Sequence, residues 1–223
     1  MFPVTRNTAI RSIQPNIKVK FFSEDDLATI FNFVKAREIK DPKRSSYHKR
    51  YGLILKVLLR TGARIEEVVP YDRSAYVDRK GKNRSAEHFP GLRPSDINLA
   101  LNTISVLTLK KRKKEYRTLL LDPDLKDALM RYFLEFHIDT KSEISLFPLK
   151  RQSVDEYLKK IQESEDLQVN AHKFRHTFAV KALLDGVPIN VLQKWLAHSS
   201  LIMTSVYADV LGMDTSDFMR NIR

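Results

Sequence analysis

The 223-residue sequence contains no cysteine. This absence excludes disulfides, cysteine-ligated metals and a cysteine nucleophile. The six histidines show no H-E-x-x-H spacing, so the zinc-peptidase motif is missing as well. No run of 18 apolar residues occurs, and the N-terminal "MFPVTRNTAI" has no apolar signal-peptide region. We therefore expect an intracellular, cytoplasmic protein.

Acidic residues are outnumbered by basic ones. The chain has 27 Asp and Glu against 39 Lys and Arg, a formal net charge of +12, and its pI is near 9.8. Such a surplus favours a polyanionic partner, of which nucleic acid is the commonest, over a globular protein that merely happens to be basic. Hydrophobic residues make up 43%, which permits the folded core of one or two domains.

Hydrophobic spacing predicts a mainly α-helical α+β protein with one small antiparallel sheet. Residues 1–20 have the composition of a basic linker or arm. A capping box at Ser23 predicts the first helix. A basic loop over 41–50 then leads into a second helix that ends at Gly62, and "RIEEVV" predicts a short third helix.

Two segments in the middle of the chain have strand composition, "TISVLTL" (103–109) and "EYRTLLL" (115–121). The "KKRKK" between them predicts a hairpin with five cations at its tip. Residues 70–91 are polar and basic, and their hydrophobic residues show no regular spacing. Structureless loops of that length are uncommon in compact domains, so this segment is either functional or disordered.

Capping residues predict the remaining helix boundaries. Helix starts are expected at Asp122-Pro123, at the capping box Ser153–Glu156, before "HKFRHTFAV" (172–180), at Pro188, and at Ser199 or Ser200. The last four of these helices are expected to end near Gln162, Gly186, Trp195 and Tyr207, respectively.

The stretch "HKFRHTFAV" combines a basic and an apolar face. On a helix His172, Arg175 and His176 fall at i, i+3 and i+4, so they project from one side. Phe174 and Phe178 then point elsewhere, into a core. The basic side suits a phosphate.

Four segments share a common chemistry: "TGARIEE", the hairpin lysines, "HKFRHTFAV" and "LAHSSLIMTSVYADV". Two arginines can fork onto the non-bridging oxygens of a phosphodiester and neutralise its transition state. A tyrosine can attack as nucleophile, and a lysine ammonium can protonate the departing alkoxide. Together these residues match the chemistry of cutting a phosphodiester without a metal, and no cofactor is expected.

"TGARIEE", "HKFRHTFA", "LAHSS" and "TSVYADV" resemble, in order and spacing, the signature boxes of the tyrosine recombinase (phage integrase) family. The resemblance covers about residues 21 to 210. It implies a tyrosine recombinase catalytic-domain fold over 21–223 and a site-specific recombinase or integrase that cleaves and rejoins DNA through a 3′-phosphotyrosine intermediate, without metal or ATP. The implied partners are double-stranded DNA target sites and further subunits in a tetrameric synapse on the nucleoid, with no membrane.

The resemblance also implies a role for each residue of the boxes. Arg64 and Arg175 would grip the scissile phosphate, Tyr207 would be the nucleophile, His172 would manage the tyrosine proton, His198 would hydrogen-bond a phosphate oxygen, and Glu67 would brace the arginine box. The general acid best matches Lys111, with Lys110 next and Lys113 or Lys114 after it. Other DNA contacts are expected from Lys43, Arg44, Lys49, Arg50, Lys110, Arg112, Lys113, Lys114 and Lys173.

The chain departs from the family pattern in several places. Ala197 stands where glycine is usual, Asp209 stands where histidine is frequent, and 70–91 is an insertion. The usual N-terminal DNA-clamping domain does not precede the catalytic boxes, so we expect either a fragment or a minimal recombinase. The tail 211–223 is expected to pack on a neighbouring subunit.

Two other functions share parts of this pattern. A type IB topoisomerase would use the same arginine, lysine, histidine and tyrosine chemistry to relax supercoils. A non-catalytic DNA-binding module would explain the charge but would leave the catalytic positions as coincidence. The "LAHSS" and "TSVY" boxes favour the recombinase.

Overall fold

The computed structural model describes residues 20–77, 81–109, 115–198, 204, 205 and 207. Their helices are α1 (Glu24–Lys40), α2 (Ser45–Thr61), α3 (Ile65–Val68), α4 (Pro123–Glu135), α5 (Arg151–Glu165), α6 (Ala171–Leu184) and α7 (Ile189–Leu196). The strands are β1 (Tyr71–Arg73), β2 (Tyr76–Val77), β3 (Asn83–Arg84), β4 (Glu87–Phe89), β5 (Ile97–Asn98), β6 (Thr103–Thr108) and β7 (Glu115–Leu120). Thr204, Ser205 and Tyr207 are also helical.

Helix α2 lies at the centre of the fold and packs against α1, α4 and α6. Ile54, Leu55, Val57 and Leu58 along it have no exposed surface. A second, smaller apolar cluster joins α6 and α7 to Tyr207. The large burial of α2 makes it the support for both arginine segments: Arg64 follows its C-terminal end, and α6, which carries Arg175, packs against it. Among the described residues no helix is long and apolar enough to cross a membrane.

The predicted hairpin is confirmed. Strands β6 and β7 pair antiparallel from Thr103–Leu120 to Thr108–Glu115, and β5 adds a third strand beside β6. The five cations between them, 110–114, lie outside the described residues.

Several helix boundaries follow from the residues that predicted them. Ser23 and Asp26 form a reciprocal capping box, Gly62 closes α2 with φ of 60°, and Asp122 accepts a hydrogen bond from the Leu125 N–H at 3.2 Å. These confirm the sequence-based starts of α1 and α4 and the end of α2. The predicted caps at Ser199 and Ser200 lie outside the described residues.

Two predicted helix starts are wrong. Helix α2 begins at Ser45, inside the expected basic loop 41–50, because Tyr47, His48 and Tyr51 already pack on Tyr157 of α5. Helix α5 begins at Arg151 rather than at the Ser153 box. Its first residue is held by ion pairs of Arg151 with Glu66 and Asp155.

The segment 70–91 is neither a structureless loop nor fully disordered. Strand β1 pairs antiparallel with β4, and β2 pairs antiparallel with β3, so the segment folds as a narrow ribbon. Alternation of polar and apolar residues is weak in such a ribbon because little of it is buried, and the periodicity therefore gave no strand signal. The prediction of a single sheet is corrected, because the described residues form one three-stranded and two two-stranded sheets.

Candidate active site

Arg175 projects from α6 into the interior and is 1% exposed. Its two terminal nitrogens donate to the carbonyls of Gly62 and Leu196, each at 2.6 Å. These carbonyls lie at the C-terminal ends of α2 and α7, where the helix dipoles favour a cation. Burial lowers the pKa of Arg175 to about 9, with the neighbouring Arg64 adding to the effect. The guanidinium therefore remains charged at neutral pH.

The glycine of "TGAR" is required by this packing. Gly62 adopts φ of +60°, and a Cβ there would lie 2.4 Å from Cδ1 of Phe178 and 2.9 Å from Cδ2 of Leu196. Only glycine lets α2, α6 and α7 approach this closely. The turn then delivers Arg64 immediately before α3.

Glu67 organises the arginines and has no exposed side-chain surface. It accepts hydrogen bonds from the Arg64 backbone N–H at 2.9 Å, from Nη1 of Arg64 at 3.0 Å and from Nη2 of Arg117 at 2.6 Å. Burial acts to raise the pKa of Glu67, but the Arg117 and Arg64 contacts outweigh it and leave the pKa below its usual value. The carboxylate is therefore ionised and holds two guanidinium groups in place.

Arg117 is a site residue that the sequence analysis missed. It lies on β7, its side chain is 8% exposed, and Nη1 donates to the Thr108 hydroxyl at 3.1 Å. Its Nε has no hydrogen-bond partner in the described part of the chain. The signal was available: Arg117 shares the buried face of its strand with Leu119, so a cation stands at an apolar position of a period-two pattern.

Tyr207 is 4% exposed, and its hydroxyl oxygen lies 2.8 Å from Nδ1 of His176. Burial lowers the pKa of His176 to about 4, with His172 and Arg175 adding to the effect, so its imidazole is neutral at pH 7. Burial raises the pKa of Tyr207, against the opposing influence of Arg175 and Arg64. The pair is thus a neutral phenol next to a neutral imidazole.

His172 lies beside this pair. It is exposed, and its ring meets that of His176 edge-on, with 4.3 Å between the ring centres. The spacing of "HKFRH" predicted one shared face for the two histidines, and the ring contact confirms it. The structure brings His176 rather than His172 into hydrogen-bond contact with the tyrosine.

His198 follows the end of α7. Its Nδ1 lies 2.9 Å from the Thr204 hydroxyl, and its ring is nearly parallel to that of Tyr207 at 6.4 Å between centres. Ala197 before it has φ of +49°, and His198 N–H donates to the Gln193 carbonyl. This left-handed turn explains why glycine would fit position 197 better than alanine.

A cavity of about 350 Å³ lies between the β6–β7 hairpin and α7, lined among others by Thr108, Arg117, Lys194 and His198. Its lining includes Thr108 and Glu115, the last residue pair of the β6–β7 hairpin before the lysine loop. The lining carries two cations, Arg117 and Lys194, and one carboxylate, Glu115, and Arg117 is itself paired with Glu67. Within the described residues no cluster of three or more histidines and carboxylates could hold a metal ion.

The nine residues that the sequence predicted to contact DNA fall into four groups according to their surroundings in the structure. Lys43 and Arg44 are exposed. Lys49 is held by Glu135 and Glu38, and Arg50 donates to the Tyr132 hydroxyl.

Lys173 is 9% exposed, with its ammonium on the Gln168 carbonyl and over the Phe22 ring. The hairpin residues Lys110, Lys111, Arg112, Lys113 and Lys114 lie outside the described residues. Of the nine expected contacts, the described structure therefore leaves Lys43 and Arg44 on an open surface.

Comparison with known proteins places this arrangement in a family. Residues 84–212, more than half of the chain, match the sequence model described as "Phage integrase family". A tyrosine recombinase of Agathobacter rectalis is 28% identical over 217 residues, covering 94% of this chain and 63% of the relative. This chain therefore spans less than two thirds of that relative's length.

Two solved structures have a similar fold. The crystal structure of XerA recombinase has a TM-score of 0.61 at 22% identity, covering 92% of this chain and 66% of that one. XerH site-specific recombinase bound to difH substrate has a TM-score of 0.57 at 16% identity, covering 91% of this chain and 53% of that one. The α+β fold is that of a tyrosine recombinase catalytic domain, and the chain belongs to the phage integrase family.

Proposed function

We propose that this chain is the catalytic domain of a site-specific DNA recombinase that cuts and rejoins strands through a phosphotyrosine intermediate, without metal or ATP. One observation carries the proposal: the buried Tyr207 hydroxyl lies 2.8 Å from Nδ1 of His176, the residue after Arg175, and Arg175 in turn contacts the Gly62 carbonyl two residues before Arg64. A buried phenol beside two guanidinium groups has the components of a nucleophile facing a phosphate-binding site.

The first chemical step is attack of the Tyr207 oxygen on the scissile phosphorus. The bond to the 5′ oxygen breaks, and a 3′-phosphotyrosine ester forms. Arg64 and Arg175 neutralise the charge that accumulates on the non-bridging oxygens. Attack by a 5′-hydroxyl on the ester restores a phosphodiester, so bond energy is conserved and ATP is not required.

Two proton transfers accompany this step. The tyrosine proton passes to His176, which is neutral and in contact with the phenol. The departing 5′ oxygen takes a proton from a lysine of the 110–114 loop, for which Lys111 is the first candidate. His198 donates to a phosphate oxygen, and His172 lies at the open side of the same cluster.

Double-stranded DNA is the proposed substrate. The net charge of +12 supports a polyanionic partner, and the similarly folded XerH was solved with its difH substrate. Strand exchange between two duplexes requires four active sites, so further copies of this chain are the proposed partners.

The proposal is tested by trapping the intermediate. A pool of duplexes, randomised around a nick and labelled at the 5′ end of the cut strand, lets a short 5′-hydroxyl fragment diffuse away after cleavage. We expect a labelled protein adduct on a denaturing gel. If no adduct forms at low salt with any member of the pool although a native gel shows that the pool is bound, the catalytic proposal fails and the chain is a DNA-binding module.

DNA sites selected from this pool then distinguish a recombinase from a type IB topoisomerase. Two labelled duplexes that carry the selected site should exchange strands. Relaxation of supercoiled plasmid without exchange between duplexes would instead identify a type IB topoisomerase.

A further inference from the structure

The insertion 70–91, here called the inserted ribbon, leaves and re-enters the fold at one point. The Leu92 N–H donates to the Val68 carbonyl at 3.0 Å. Gly91 adopts φ of +71°, and a Cβ there would lie 2.6 Å from the same carbonyl oxygen. The ribbon is therefore an outgrowth whose ends are fastened together, and the core does not need it for continuity.

The root of the ribbon packs against the end of strand β6. Tyr71 and Phe89 are directly paired across β1 and β4, with rings stacked at 6.1 Å. Phe89 is buried with Leu107 and Leu109 in an apolar cluster separate from the main core. The inserted ribbon thus has its own buried contact with the β6–β7 hairpin, which a ribbon without a function at this position would not require.

Arg73 extends this contact to the main chain. Its Nη2 donates to the carbonyl of Leu109 at 2.9 Å, while Nη1 reaches Glu87 at 3.3 Å and the guanidinium lies 5.0 Å from the centre of the Phe89 ring. The side chain is 25% exposed. The contacts with Glu87 and Phe89 thus orient the guanidinium toward the Leu109 carbonyl.

Leu109 is the residue at which the lysine loop begins. The β6–β7 pairing ends at Thr108–Glu115, so the Leu109 carbonyl lies beyond the last strand pair. Arg73 supplies a hydrogen bond from the described part of the ribbon to this carbonyl, so its removal takes away a restraint on the last described residue before the loop. A shift of about 1 Å at a catalytic group can cost about 100-fold in rate.

We propose that the inserted ribbon is a positioning element for the lysine loop, with Arg73 as its positioning residue. Through the Leu109 carbonyl, Arg73 fixes where residues 110–114 begin, and thereby aids protonation of the departing 5′ oxygen. The claim that Arg73 aids protonation, the catalytic half of this inference, rests on the proposed function. The claim that Arg73 fixes the start of the loop, its structural half, rests on the contacts of Arg73 alone.

The structural half is tested by proteolysis, because lysine and arginine at all five loop positions make 110–114 a trypsin target. In Arg73→Ala, cleavage within 110–114 should be about tenfold faster than in the parent chain, since trypsin reports how often a segment opens. Arg84→Ala is the matched control, because it removes the same charge from β3 and leaves the Leu109 contact intact. Equal cleavage rates within 110–114 in the three proteins, located by mass spectrometry, would overturn the proposal whatever the activity.

The catalytic half is tested with a substrate whose bridging 5′ oxygen is replaced by sulfur. A thiolate leaves without a proton, so it needs no general acid. Arg73→Ala should cleave ordinary DNA about 10- to 100-fold more slowly than the parent chain and the sulfur substrate within about threefold of it, as Lys111→Ala should. Equal slowing on both substrates, or none on either, would remove the positioning role. If the parent chain forms no adduct, the proposed function fails, and the trypsin result still decides whether Arg73 holds the loop.

Discussion

The hydroxyl oxygen of Tyr207 and Nδ1 of His176 are 2.8 Å apart; the phenol is buried and the imidazole is half-buried. A neutral imidazole at this distance can accept the phenol proton. His172, which the family resemblance names for this role, lies on the exposed side of His176. Mutation of His176 and mutation of His172 are therefore expected to affect the rate of DNA cleavage differently.

His176→Gln should slow DNA cleavage by about 100-fold at pH 7.5, the scale for losing one proton-transfer group. Glutamine can hydrogen-bond the phenol but cannot take its proton. The measurement is the single-turnover rate of adduct formation, with His172→Gln measured alongside. Near-normal cleavage by His176→Gln together with a large loss in His172→Gln would return the proton-accepting role to His172.

The low pKa of His176 also predicts how stability depends on pH. In the unfolded chain this histidine takes up a proton near pH 6.5, whereas in the folded protein it stays neutral down to about pH 4. Its contribution to stability is therefore present above pH 6.5 and is lost as the pH falls from there towards 4.

The check is urea unfolding at pH 7.5 and pH 5. Stability should fall more steeply on acidification in the parent chain than in His176→Gln. Identical pH dependence in the two proteins would show that burial does not keep this imidazole neutral.

The contact between Arg117 and Glu67 predicts a large cost of mutation. Arg117→Met should lower the free energy of unfolding by about 3 kcal/mol, because it breaks a buried ion pair and leaves Glu67 with Arg64 alone. The control is Arg60→Met, which removes a more exposed arginine paired with Asp122 and Asp124. Its loss should stay below about 1 kcal/mol, and equal losses in urea unfolding would contradict the assignment of Arg117.

The left-handed backbone at position 197 predicts a stabilising substitution. Ala197→Gly should raise the free energy of unfolding by about 0.5–1 kcal/mol, since φ of +49° strains alanine and not glycine. Gly62→Ala is the opposite case, because a Cβ there meets Phe178 and Leu196, and it should destabilise the protein and weaken the Arg175 contact. Thermal unfolding of both variants measures the two effects, and stabilisation by Gly62→Ala would show that the close packing of α2, α6 and α7 is misdescribed.

How far the sequence predicted these features depends on which interactions are local. Ser23, Asp122 and Gly62 act on backbone within a few residues, and their caps were predicted correctly. The start of α2 was not, because Tyr47 is ordered by Tyr157, 110 residues away in the chain. The inserted ribbon escaped detection for the same reason, since Phe89 at its root is buried against Leu107 and Leu109 of a separate segment.

The candidate site divides in the same way. Arg175 and His176 follow from helical spacing on one segment, whereas the pairing of His176 with Tyr207 requires two segments to meet. Arg117 was overlooked because one cation on a strand is usually a solvated charge. Its partner Glu67 lies 50 residues earlier in the chain, and only the folded chain joins them.

The central claim is that Tyr207 is the nucleophile, and its most direct test is the mass of the trapped adduct. Trypsin cleavage after Lys194 and Arg220 releases residues 195–220, in which Tyr207 is the only tyrosine. After nuclease treatment of the adduct, that peptide should carry a 3′-phosphonucleotide on Tyr207, and Tyr207→Phe should form no adduct while binding the same DNA within a few-fold. A nucleotide on any other peptide, or an adduct that persists in Tyr207→Phe, would contradict the account.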